Sequence, residues 1–162
     1  MFLSVSTFDW LLMLHITGAF LLVGGSVAAG IFNTFAVRSE RPSDAAFMLR
    51  MVRPTLPLIG IGSIAALVFG LWLVHEQSTV KLFSFWIIAA LVLWVVMAAL
   101  GSAGGKHQER TRAVAERLAA AGDTSDDELL SLLHDRRGNA MSWLAGLAAL
   151  LLLIDMIWKP GQ

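Results

Sequence analysis

The chain has no cysteine. Disulfides, thiolate metal sites and thiol catalysis are thereby excluded, although a zero count fits either side of a membrane and fixes no redox compartment. Charge is scarce. Asp, Glu, Lys and Arg make up 15% of the 162 residues, where a soluble domain carries about 25%. Twelve basic and twelve acidic residues cancel, which removes the basic signature of a nucleic-acid binder. No phosphate-binding loop, zinc-protease pattern or nucleophile motif occurs, so no pattern names a reaction and no catalytic residue is assigned.

The charge that is present avoids four long stretches. Trp10 to Val37, Pro54 to His75, Leu82 to Gly105 and Gly138 to Ile154 contain no Lys, Arg, Asp or Glu. Each is about as long as the ~20 apolar residues that carry a helix across a bilayer. The mean hydropathy of +0.71 and the 57% hydrophobic content agree. The expected fold is all-α, an antiparallel four-helix integral membrane bundle forming one domain. Its spans fall near residues 10–35, 55–75, 83–105 and 140–158, with a helical hairpin at 106–137.

Basic residues are unevenly placed. The first two spans are joined through Arg38, Arg41, Arg50 and Arg53; the last two through Lys106, Arg110, Arg112, Arg117, Arg136 and Arg137. Only Lys81 and Lys159 fall on the other side. Cytoplasmic loops hold the excess of Lys and Arg, so both large connections are expected inside and both termini outside. Trp10, Trp72, Trp86 and Trp158 fall near the outer ends and Trp143 near the inner end, where amphipathic rings favour the interface; Trp94 lies mid-span and reads as packing. Ala28-Ala29-Gly30 loosely resembles a cleavage site. However, Asp9, and no Lys or Arg, precedes the first run, whereas a signal peptide has a positive start. The first span is read as retained.

Several local features are expected in the connections. Ser43 or Asp44 should cap a short helix at 45–52, lying at the inner interface with its arginines reaching phosphates. Pro54 and Pro57 should break or kink the path into the second span. The third span should continue as the charged, Ala-rich helix Lys106 to Ala121 and end at Gly122-Asp123. Ser125 to Glu128 has the spacing of a capping box. His107 and His134 are expected to be solvated. Small residues should mediate packing within lipid: Gly62, Ala66 and Gly70; Ala98 and Ser102; Gly101 and Gly105; Ser142 and Gly146; Ala145 and Ala149.

The first span carries the candidate chemistry. Stepping ~100° per residue from His15 places Gly18, Ala19, Leu22, Ser26, Ala29 and Asn33 on one small, polar stripe facing the bundle interior. An ionisable residue inside a membrane helix is costly and marks a functional candidate. His75, closing the second span, is the second ligand a bis-His haem would use. Yet it shares a face with Leu71, Val68, Ile64 and Ile61, away from the Gly62/Ala66/Gly70 stripe. Asp155 either pairs with Lys159 at i,i+4 or orients His15 as a carboxylate behind a ligating histidine. Met13, His15, His75 and Met156 have the ligand types of a Cu(I) site, but Met13 and His15 point about 160° apart on the helix.

Leu14-His15-Ile16-Thr17-Gly18-Ala19 with Gly24-Gly25, the run Gly70-Leu71-Trp72-Leu73, and the four-span layout ending in Trp158-Lys159-Pro160 resemble a bacterial family of predicted integral membrane proteins, domain of unknown function 2269. That resemblance implies a multi-pass protein of the bacterial inner membrane. The first span is more distantly similar to copper-resistance protein D and to HemJ-type protoporphyrinogen oxidases, which also place a histidine early in helix 1 followed by glycines. This similarity implies a haem b or copper connection through His15. Two functions are therefore carried forward: a membrane protein binding haem or a metal near its outer face through His15, and a non-catalytic component acting through a protein partner or a second copy. A small transporter would show an inverted repeat and buried charge pairs, which are missing.

Overall fold

The computed structural model describes residues 6–76 and 84–159. Its elements are α1 (Thr7–Val37), α2 (Pro42–Val52), α3 (Thr55–Glu76), α4 (Phe85–Ala120), α5 (Asp127–Leu133) and α6 (Arg136–Trp158), with no strand among the described residues. α1, α3, α4 and α6 each contain a window long and apolar enough to cross a membrane. Most of each window faces outward, as expected where lipid replaces water around the bundle.

Local chemistry sets the ends of these helices. At the start of α1, Asp9 N–H donates to Ser6 Oγ at 3.2 Å and Ser6 N–H donates to Asp9 Oδ2 at 2.9 Å, a reciprocal cap. The 31 residues of α1 reach about 46 Å at ~1.5 Å each, well beyond a ~30 Å hydrocarbon core. Pro54 has no N–H to donate to the Arg50 carbonyl, so the hydrogen-bond ladder of α2 lapses after Val52 although Arg53 keeps helical dihedrals (φ −56°, ψ −46°). Thr55 Oγ1 donates back to the Val52 carbonyl at 2.7 Å. α4 ends where Gly122 and Asp123 turn left-handed (φ 122° and 57°).

The four spans pack as two antiparallel pairs. In α1/α3 the backbones approach so closely that a Cβ on Gly62 would lie 2.6 Å from the Gly18 carbonyl oxygen and 2.6 Å from Leu22 N. One on Gly18 would lie 2.7 Å from Ala66 N. The expected Gly62/Ala66/Gly70 stripe is the α1-facing surface. In α4/α6 the close approach is Gly104 against Ser142 Oγ, at 2.7 Å for a built Cβ. The sequence stripes pointed to Gly101 and Gly105 and not to Gly104, and to Gly146 with Ser142, but Gly101, Gly105 and Gly146 have nothing within 4 Å; α4 is rotated so that Gly104 faces its partner. Leu22, Met97, Ala148 and Ala149 form the buried joint between the pairs, with Ile59, Trp94 and Leu152 around it. Trp94 Nε1–H donates to the Ser63 carbonyl at 3.4 Å, so this mid-span ring does pack.

The polar end differs from expectation in four respects. α2 is no isolated interfacial helix. It stands against the charged extension of α4, burying Ala45 and Ala46 with Val114, Ala115, Leu129 and Leu133, and Arg50 pairs with Glu116 at 3.2 Å. Its start is Pro42, and neither Ser43 nor Asp44 caps it. Instead Asp123 does so across 80 residues of sequence, accepting from Ser43 N and Ser43 Oγ, both at 2.7 Å. The cap of α5 is Asp126, which accepts from Leu129 N at 2.8 Å, not Ser125. His107, expected to be solvated, is packed: Nε2 lies 3.1 Å from the Leu132 carbonyl, Nδ1 lies 3.6 Å from Asp135 Oδ2, and the ring occupies the space a side chain at Gly138 would fill. His134 is exposed.

Candidate cofactor-binding site

The α1/α3 crossing positions His15. Because Gly18 rests on Gly62 and Ala66, the turn of α1 just before it meets the turn of α3 just after, and the imidazole fills the groove left by Gly70. A Cβ there would sit 2.9 Å from His15 Cε1 and Nδ1. His15 Nδ1 lies 2.8 Å from the Ala66 carbonyl oxygen. A carbonyl only accepts, so Nδ1 carries a proton, and in the neutral tautomer the lone pair is then on Nε2. Nε2 has no hydrogen-bond partner among the described residues. The ring is half-buried.

The other candidates are not drawn to His15 in the same way. His75 is exposed at the end of α3, on the outward face its helical angle indicated. Met13 is also exposed, facing away from the α1/α3 groove. Asp155 is 7% exposed, and its Oδ2 has no hydrogen-bond partner among the described residues. The expected i,i+4 pairing with Lys159 is not formed: Lys159 turns left-handed (φ 41°) and its ammonium lies 5.5 Å from the centre of the Trp86 ring. Trp86, expected at the interface, is buried, and its Nε1–H likewise has no partner among the described residues. His15 donates its Nδ1–H to the Ala66 carbonyl and not to Asp155. Among the described residues no three His, Cys, Asp or Glu side chains could hold one metal ion.

His15 and Asp155 nevertheless share a depth. Leu22 packs on Ala148 and Ala149. His15 lies seven residues before Leu22 and Asp155 six after Ala149, so each is on the order of 10 Å further toward the chain termini. Among the described residues, the terminal end therefore holds an imidazole Nε2, a carboxyl oxygen and an indole N–H that have no hydrogen-bond partner. The spacing of Gly62, Ala66 and Gly70 against His15 and Gly18 holds the signal for the ring's seat. The orphaned state of Trp86 has no counterpart in the sequence.

No curated protein and no solved structure matches the chain. One family model does match, over residues 9–160 with all four apolar spans included, and the chain belongs to that family, the predicted integral membrane proteins of DUF2269.

Proposed function

We propose that this integral membrane protein binds haem at its terminal end, with His15 Nε2 as the protein's ligand to iron. The observation that supports this reading is the Nδ1–Ala66 hydrogen bond. It fixes the tautomer and ring orientation and leaves Nε2 available, as a partner behind a ligating histidine does. The donor set discriminates between the two groups in question. Copper would need several imidazole or thioether ligands together; His75 and Met13 are exposed and turned away from the His15 groove, which favours haem over copper. Haem brings its own macrocyclic nitrogens and would need one donor from the protein, a role His15 could fill. When bound, haem would contribute one-electron chemistry. The chain's own residues orient the ring through Ala66 and make room for it at Gly70. Asp155, at the same depth on α6, is the polar group available to that region from the second helix pair. The basic bias of the polar end, ten Lys and Arg against two, supports placing that end in the cytoplasm of a bacterial inner membrane and His15 near the outer face.

The test is an oxidised and dithionite-reduced absorption spectrum of detergent-purified protein from haem-supplied cells, with metal analysis on the same sample. A near-stoichiometric Soret band that shifts on reduction is expected. His15→Ala should abolish it, Gly70→Leu should weaken it by displacing the ring, and His75→Ala should leave it intact. Colourless wild type, or a His15→Ala variant that stays equally coloured, overturns the assignment.

A further inference from the structure

The polar end of the bundle is layered by charge. Segments 50–53, 106–112 and 135–137, which adjoin the apolar runs, hold seven basic and two acidic residues. Segments 38–46 and 113–128, which meet further out where Asp123 caps α2 at Ser43, hold three basic and seven acidic, with Arg38 alone directly following an apolar run. The Gly104–Ser142 contact marks the last small-residue approach of α4 and α6. From it, Lys106, Arg110, Arg136 and Arg137 lie within about 9 Å along their helices, and Arg53 stands two residues before Thr55 of α3, about 3 Å away, at ~1.5 Å per residue.

These five cations differ from the rest of the polar end. All are exposed, and none forms an ion pair among the described residues. Arg50, Arg112 and Arg117 are instead tied to Glu116, Glu109 and Glu128. The two carboxylates at the same level are bonded to other groups and act on Arg53 and Arg137 only through space: Glu109 binds Arg112, and Asp135 accepts from the backbone N–H groups of Arg137 and Gly138 and faces His107. A projecting helical layer satisfied by its own charges would pair these cations as it pairs the others. Leaving them free beside the apolar runs places guanidinium and ammonium groups, on long stems that can bend toward the interface, where phosphodiester oxygens lie. The acidic outer layer is repelled by the same surface, which holds α2, α5 and the α4 extension away from it.

We infer that this belt binds the headgroups of anionic phospholipids, with Arg53, Lys106, Arg110, Arg136 and Arg137 donating to their phosphates. Trp143 reports on it directly: it is 67% exposed and lies under two turns of α6 from Arg137. The full chain is reconstituted in phosphatidylcholine carrying either brominated phosphatidylcholine or brominated phosphatidylglycerol, and the quenching removed by Trp143→Phe is taken as the belt signal. Each cation near an anionic surface is worth roughly fivefold in affinity, so phosphatidylglycerol should be preferred at least tenfold. That preference should fall severalfold in K106Q/R136Q/R137Q, which leaves Arg53 and Arg110 in place, and toward unity in the unmodified protein at high salt. Equal quenching by the two lipids overturns the inference, as does a preference indifferent to salt; the salt series decides even where the triple variant does not fold. Loss of the preference on adding free glycerol phosphate also overturns it, since the belt would then bind a soluble phosphate. The haem reading concerns the opposite end and stands or falls separately.

Discussion

Gly62→Ala is the sharpest test of how this bundle is held together. The added Cβ would lie 2.6 Å from the Gly18 carbonyl oxygen and 2.6 Å from Leu22 N. Both are backbone atoms of another helix, so no rotamer change relieves the contact. Ordinary van der Waals contact begins at 3.4 Å, so α1 and α3 must part by about 0.8 Å at their crossing, the difference between 3.4 and 2.6 Å. Separation loosens Gly18 on Ala66 and Gly25 on Ile59 together, because all lie on one seam. Overpacking of this kind costs about 1–3 kcal/mol. Opposing it is the better helix propensity of alanine, about 1 kcal/mol in soluble helices. Gly60→Ala measures that second effect alone, since Gly60 is on α3 with nothing within 4 Å. Unfolding in mixed detergent micelles should show Gly62→Ala less stable than Gly60→Ala by about 1–3 kcal/mol. Equal stability of the two variants would falsify the close α1/α3 crossing, and with it the seat of His15.

Three further outcomes follow from the same geometry. Asp155→Leu should raise stability by about 1–3 kcal/mol, because it removes a buried carboxylate oxygen without a partner; a loss of that size in the same unfolding assay would mean Asp155 is paired. Gly138→Ala should drive the His107 ring off the start of α6 and speed proteolysis between α4 and α6, whereas Gly146→Ala, facing open space, should not. The Asp123 carboxyl is held below its ordinary value by the Ser43 hydroxyl and then the Ser43 N–H. A depressed folded-state value means the unfolded chain binds the proton first. The stabilisation is therefore present above about pH 4 and lost as pH falls through the lower folded value. Cleavage of the 121–126 turn should accelerate on acidification, and less so in Asp123→Asn, whose cap does not titrate; identical pH profiles for the two proteins would remove Asp123 from this role.

The spans were legible because the bilayer reduces the question to run length and charge, and four charge-free runs answer it. The α1/α3 seam was legible too: Gly62, Ala66 and Gly70 repeat every four residues, and the close approach of membrane helices needs small residues. The α4/α6 seam was not, because α4 contains Gly101, Gly104 and Gly105 within five positions, and composition alone cannot say which faces the partner. Capping at the polar end was misread for a different reason. Ser43 and Ser125 have local cap spacing, but Asp123 reaches α2 only after the α4 extension folds alongside it, a tertiary event invisible to neighbouring residues. His107 was misjudged likewise: a histidine in a charged segment reads as solvated until α5 closes over it.

His15 and Asp155 pose a common physical question. The packing of this bundle is carried by Gly18, Gly25, Gly62 and Ala66 on one seam and by Gly104 and Ser142 on the other, with Leu22, Met97, Ala148 and Ala149 between them. None of these contacts requires an imidazole or a carboxyl. An alanine at 15 would leave the Gly18–Gly62 approach in place, and an apolar residue at 155 would remove an orphaned oxygen. Each polar group costs free energy in a low-dielectric layer, and the Ala66 carbonyl offsets that cost for one nitrogen of one of them. Two such groups at the same depth, one on each helix pair, are surplus to what folding needs. Their cost is met by the packing elsewhere, which is the relation expected between a scaffold and the site it supports.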